Sequence, residues 1–310
     1  MLKSWRAEIF LVCGAIAFAF NGVVSKIILE AGLSEWRLTQ VRCTGAFFVL
    51  LFYVLLRKGA ALRTSRSELP WLAAYGVIGF AAVQFGYFIA IARMHISVAL
   101  IIEFTAPIWI VLYLRFIKKR EVPAMMWLAL ALAFTGLLLL SQVWKSATLD
   151  TIGLAAAFLD AFALAAYFLI GEKLVARRSA DTLTLWGFGF ASLTCLIISP
   201  IWNFPFHVFS QPINLLGTFS SYRLPGWVLI LWIIVLGTIL PYLLVLNGLK
   251  SLSASTSSTI GMLEPVVAGG FAWWWLGERF TALQLIGGFI VILGIILADR
   301  TRHSSKAKVS

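Results

Sequence analysis

Two carboxylates stand beside two prolines in otherwise apolar sequence, and any chemistry would begin with them. One is Glu103, in Ile102-Glu-Phe-Thr-Ala-Pro107; the other is Glu264, in Met262-Leu-Glu-Pro265. An acid at the centre of a bilayer costs about 3 kcal/mol on insertion scales, so such residues tend to face a partner or a wet cavity. Proline adds a second constraint, because it lacks the amide that would bond the carbonyl four residues back. Pro107 therefore frees the carbonyl of Glu103, and Pro265 frees that of Gly261. A freed carbonyl in hydrocarbon needs water, a hydroxyl or a ligand. Each acid is a candidate to carry a proton or to meet a substrate ammonium; the plain alternative is a neutral acid that ties helices together by hydrogen bonds.

Other polar residues interrupt apolar runs in the same way. Asn21, Lys26 and Arg42 break the first two. Lys26 and Arg42 are candidates to hold a substrate carboxylate or to pair with Glu30 or Glu35, and the alternative is snorkelling to the interface. Asp160 breaks the sixth run, with Tyr167 two turns on. Its alternative role is pairing with one of those basic residues. Gln84, Tyr87, Tyr242 and Asn247 are polar points on the third and eighth runs. They would line a cavity or bond between helices. The small hydroxyl run Ser253–Thr259 suits close helix packing.

The elements that must position these residues follow from composition. The chain has 310 residues, is 61% hydrophobic and 12% charged, and its mean hydropathy is +0.94. That balance leaves no polar skin for a soluble core. Apolar runs fall near 7–28, 37–56, 71–92, 96–116, 123–142, 150–171, 182–201, 226–248, 254–276 and 281–298. Each is about as long as the roughly 20 residues a bilayer-spanning helix needs. The predicted class is an all-α polytopic membrane protein with ten transmembrane helices. Cys13, Cys43 and Cys195 lie far apart and form no metal or disulfide pattern. The first run is read as a retained span rather than a cleaved signal.

The chain also repeats. Pro107 and Pro265, Gly136 and Gly294, and Gln84 and Tyr242 are each 158 residues apart. Glu103 corresponds to position 261, so Glu264 falls three residues further on, on about the same helix face. Residues 1–145 are expected to form one five-helix repeat, 146–300 a second, and 301–310 a tail. Five is odd, so the second copy would enter the membrane from the opposite side. Secondary transporters are commonly built from such inverted repeats, with substrate bound near the midplane. Pro107 and Pro265 would then be hinges. If the N-terminus is cytoplasmic, 18 Lys and Arg residues lie in the loops of that side and 5 in those of the other. Both termini are therefore expected in the cytoplasm. The net charge of +12 belongs to those loops and does not call for nucleic acid. The loop from Pro200 to Pro225, rich in aromatics, is expected to rest in the lipid interface, with a lid as the alternative.

The runs around Glu103 and Glu264, together with Leu240-Pro-Tyr242 and Trp275-Leu-Gly-Glu278, resemble the EamA half of the drug/metabolite transporter superfamily, nearest in character to threonine/homoserine-type amino-acid exporters. The resemblance implies ten helices around a central cavity, alternating access, and export of an amino acid or related metabolite, driven by protons or exchange. It places the chain in a bacterial inner membrane. Lys118-Lys-Arg-Glu121 departs from the motif in the first half. Neither cofactor nor metal is expected. The partners would be a small molecule, the lipid bilayer and protons, with the chain a monomer or weak homodimer. A channel or scaffold is the alternative. An intramembrane enzyme is a more distant one, since His95, His207 and His303 lie far from the acids in sequence and no nucleophile or zinc motif occurs.

Overall fold

The computed structural model describes residues 5–58, 62–91, 93–94, 96–145, 150–277 and 279–307. His95 and Glu278, singled out above, lie outside this set. In chain order the first half comprises α1 (Arg6–Glu30), α2 (Glu35–Lys58), α3 (Leu69–Gly76), α4 (Val83–Ile91), α5 (Ile96–Glu103), α6 (Ala106–Leu112) and α7 (Ala124–Ser141). The second comprises α8 (Thr151–Leu174), α9 (Ala180–Ile198), α10 (Gly226–Ile234), α11 (Leu240–Leu249), α12 (Ala254–Gly261), α13 (Leu263–Phe271) and α14 (Ala282–Ala307). Wider π-type turns at Val77–Ala82 and Val235–Ile239 join α3 to α4 and α10 to α11. An antiparallel pair, β1 (Pro212–Asn214) and β2 (Arg223–Pro225), lies before α10.

Among the described residues, nine helical segments are long and apolar enough to cross a bilayer, from Arg6–Glu30 to Ala282–Arg300. The tenth predicted run, 254–276, is not continuous: it breaks at Met262 into α12 and α13. The break follows directly from Pro265, which leaves the Gly261 carbonyl without its helical donor. Pro107 acts the same way, and α5 stops at Glu103 before α6 begins at Ala106. Thr105 fills this second gap. Its hydroxyl donates to the Ile102 carbonyl at 2.6 Å and accepts from Trp109 Nε1 at 2.9 Å.

The sequence offset reappears in the backbone. Helices α5 and α12 have the same bounds shifted by 158 residues, and the π turns at Val77 and Val235 start 158 residues apart, as do α7 and α14. Packing follows suit. Helix α1 lies against α11 and α13, and its counterpart α8 lies against α4 and α6. Helix α2 packs on α9, and α7 on α14. Exchanging every helix for its counterpart leaves this set of neighbours unchanged.

Small residues set the closest of these contacts. A Cβ on Gly136 would stand 2.6 Å from the Gly287 carbonyl oxygen, and one on Gly294 would stand 2.7 Å from the Ala133 amide nitrogen. The α7 and α14 backbones can touch only because both side chains are absent. Outward-facing positions are large and apolar, with Phe52, Leu56 and Phe289 well exposed, as a lipid-facing belt requires.

Part of the Pro200–Pro225 loop packs inward on the first two helices. Phe204, Val208 and Ile213 are buried against Ile27, Ile28 and Leu38 of α1 and α2. Arg37 donates to the Pro200 carbonyl at 2.9 Å, and Trp275 Nε1 to the Leu215 carbonyl at 2.9 Å. Of its aromatics, Phe204 is buried and Phe209 and Phe219 are half-buried, while Trp202, Phe206 and Tyr222 stay exposed, as an interfacial position requires.

Candidate functional site

A cavity of about 710 Å³ lies between α1, α2, α4, α8 and α11 and the two broken helices. Glu103 reaches it as the last residue of α5, and Glu264 from the first turn of α13. Both are half-buried: protein surrounds them, yet solvent meets them through the cavity. The helix breaks bring them there, because an intact helix would carry its backbone past the cavity fully bonded. The two acids lie close enough for each charge to act on the other, and Glu264 also meets the field of Arg42.

Arg42 is buried, with Nε donating to Thr238 Oγ1 at 3.1 Å across the two halves. This is a fixed guanidinium on the cavity wall and not a snorkelling one. Lys26 also lines the cavity but is exposed, near the end occupied by Glu30 and Glu35. Asn21, Gln84, Tyr87, Tyr242 and Pro107 complete the predicted residues that the structure brings together. Gln84 stands within hydrogen-bonding reach of the Tyr242 hydroxyl, so two repeat-related positions meet.

Three predicted residues lie elsewhere. Asp160 is almost fully buried behind the wall, against the backbone of Gly86, and does not line the cavity. It still lies within the electrostatic reach of Glu103. Asn247 donates to the Leu243 carbonyl on its own helix at 2.8 Å and accepts from Lys250 Nζ at 2.9 Å, outside the cavity. Pro265 faces a separate apolar cleft of about 190 Å³.

Sequence reasoning missed Ser25, Ser257, Ser258, Phe18 and Phe104 as cavity residues, and assigned Ser257 and Ser258 to packing only. The hydroxyl of Ser258 does bond its own helix, to the Ser255 carbonyl at 3.0 Å. Ser257 Oγ, Ser25 Oγ and Asn21 Oδ1 are buried without a hydrogen-bond partner among the described residues. Buried polar atoms left so are costly unless a solute or water meets them. The signal available in the sequence was the position of the serine run, one turn ahead of the Gly261 break.

The cavity is closed at one end by aromatic packing. Phe80 stacks on Tyr242 at 4.7 Å between ring centres and meets Phe188 edge-on at 4.8 Å. Tyr75, fully buried, stacks on Tyr167 at 5.5 Å. At the other end Glu30 and Glu35 mark an opening beside the α1–α2 turn. No group of three or more His, Cys, Asp or Glu that would hold a metal occurs among the described residues.

Comparison with known proteins agrees with this geometry. The model of the EamA-like transporter family matches the chain twice, over residues 5–142 and 151–298. The chain belongs to the EamA-like transporter family. An uncharacterized transporter of Archaeoglobus fulgidus is 24% identical over 90% of this chain and 92% of its own. The pseudopaline exporter CntI of Pseudomonas aeruginosa is 24% identical over 92% and 94%. A riboflavin transporter of Rhizobium johnstonii is 28% identical, over 57% and 58%. A solved crystal structure superposes with a TM-score of 0.74 at 15% identity, covering 94% of this chain and 96% of that one, which shows the same fold. This EamA-like chain is thus a multi-pass membrane transporter with a small-molecule substrate.

Proposed function

We propose that the chain is a secondary transporter that moves a small polar metabolite, an amino acid or a related compound, outward by alternating access. Ten spans form two inverted five-helix repeats, residues 1–145 and 146–300, that rock about the Pro107 and Pro265 breaks. Both termini are cytoplasmic, in a bacterial inner membrane. The observation that carries the reading is the cavity itself: two acids delivered by corresponding broken helices face a fixed Arg42.

That arrangement suits a zwitterion. Glu103 and Glu264 take its ammonium or exchange protons, and Arg42 takes its carboxylate, the pairing a planar guanidinium makes best. Asn21, Ser25 and Ser257 supply hydrogen bonds. The volume exceeds what a single amino acid fills and falls within the range of drug-sized ligand sites, roughly 300–1,000 Å³, so larger relatives of amino acids fit too. A blind end packed with aromatics supports alternation over an open pore. The exchangeable set of helix contacts supports a twofold relation between the halves.

Transport into everted vesicles tests the reading, using a panel of amino acids, their larger conjugates and riboflavin. The expected result is uptake of one class that Glu264→Gln and Glu103→Gln each abolish or strip of its pH dependence. Wild-type rates and pH profiles in both variants would remove the acids from the mechanism.

A further inference from the structure

We infer that a second, separate pocket at the basic end of the molecule binds a phosphate group carrying a net negative charge, that of an anionic phospholipid headgroup or of a soluble phosphate. The pocket is about 730 Å³ and lies between the α2–α3 connection and the α8–α9 turn. It shares no lining residue with the central cavity.

Its construction argues for an anion. Arg63, Lys173, Arg177 and Arg178 line it, against the single acid Glu68. Glu68 is already engaged: Arg178 Nε donates to one carboxylate oxygen at 2.6 Å and Arg178 Nη2 to the other at 2.8 Å. The same guanidinium donates to the Arg63 carbonyl at 2.8 Å, which fixes the loop over the turn. Two neighbouring acids do not line the pocket: Asp181 accepts from the Thr182 amide, and Glu172 interacts with the Ala254 backbone while its charge also reaches Lys173 and Arg120. Arg63, Lys173 and Arg177 therefore outnumber the acids facing the space. A cluster of like charges around a preformed hollow raises the local concentration of an anion.

The pocket also has an apolar side. Lys173 Nζ sits 5.8 Å above the Trp71 ring, and Trp71 is half exposed at the start of its span. Ile170 and Leu174 continue that wall toward the bilayer. A headgroup phosphate would meet the cations while its glycerol and first methylenes met this wall. Juxtamembrane basic residues contribute about 1 kcal/mol each toward an anionic leaflet.

The experiment uses the full chain in detergent micelles, titrated with short-chain phosphatidylglycerol, short-chain phosphatidylcholine or inorganic phosphate, with bound species counted by native mass spectrometry. Phosphatidylglycerol should bind and phosphatidylcholine should not. Lys173→Gln with Arg177→Gln should weaken binding about 25-fold, about fivefold per charge. Lys118→Gln with Lys119→Gln, at another loop, should leave it within about twofold. Trp71→Leu keeps every charge and should weaken only the lipid. Should the double charge variant elute aggregated, each single variant is measured alone. Competition by millimolar inorganic phosphate would support a site that takes either source; lipid binding without competition would support the headgroup with its apolar wall. Equal binding of both lipids, equal loss in the Lys118/Lys119 control, or no effect of Lys173 and Arg177 would overturn the inference.

Discussion

The α7–α14 joint and the central cavity use the same repeat in opposite ways. At the joint, corresponding glycines Gly136 and Gly294 let two backbones meet, and nothing polar is needed. At the cavity, corresponding breaks before Pro107 and Pro265 present acids, and large rings line the walls. Removing side chains joins helices in lipid, while interrupting helices makes a wet space between them. The difference teaches that the doubled unit supplies both a fixed contact and a binding region, and that each should fail in its own way.

The largest effect is expected where the acids are removed together. Glu103→Gln with Glu264→Gln should lower transport about 100-fold, the loss of one to two charge-assisted contacts, with the unfolding temperature in detergent nearly unchanged. A fall in both rate and stability would erase the distinction between cavity and joint.

Next comes the joint. Gly136→Leu should destabilise the fold by about 1–3 kcal/mol through overpacking against Gly287 and Val291, seen as a lowered thermal midpoint. An unchanged midpoint would mean the helices are free to separate.

A smaller effect is expected at Arg42. Arg42→Gln should raise the KM for a carboxylate-bearing solute about tenfold and leave a carboxamide analogue of the same solute unaffected. Equal loss for both would assign Arg42 to helix packing through Thr238.

The smallest concerns Glu68, outside both regions, at the contact between the two halves. Arg178 holds the Glu68 carboxyl below its ordinary range, chiefly through its hydrogen bonds to the carboxylate. A depressed folded value means the pair stabilises fully above the ordinary carboxylate range, near about 4.3, and that this is lost as pH falls through the folded value. Glu68→Gln should therefore lower the thermal midpoint slightly at neutral pH, and the gap to wild type should close in acid. A gap that widens in acid would contradict this sign.

How much of this was legible in the sequence differs by residue. Proline and apolar run length are local signals, so the helix positions and the two hinge points could be read directly, although the full break of the 254–276 run into α12 and α13 was not foreseen. The 158-residue offset was equally plain, since it depends on identity and not on direction. Direction around a helix was not readable. Helix α8 is apolar on all sides, so no polar face marked Asp160 as lying behind the wall instead of in it. Asn247 was ambiguous for the same reason. Arg42 looked able to snorkel, and only its bond to Thr238, 196 residues away, shows that it is held. The Pro200–Pro225 loop was legible only in part: Trp202 and Phe206 are exposed as an interface requires, while the turn of Phe204 into a small core depends on contacts with α1 and α2. The Glu68–Arg178 pair and the pocket beside it depend on contacts between halves that no local pattern encodes.

The most direct measurement concerns access to the cavity from the two sides. With Cys13, Cys43 and Cys195 replaced by alanine, Ser257→Cys is treated with a membrane-impermeant maleimide in right-side-out and in inverted vesicles. Two halves that rock about the Pro107 and Pro265 breaks predict labelling in both preparations, slowed in each by transported solute. Labelling from one side only, unaltered by solute, would contradict alternation.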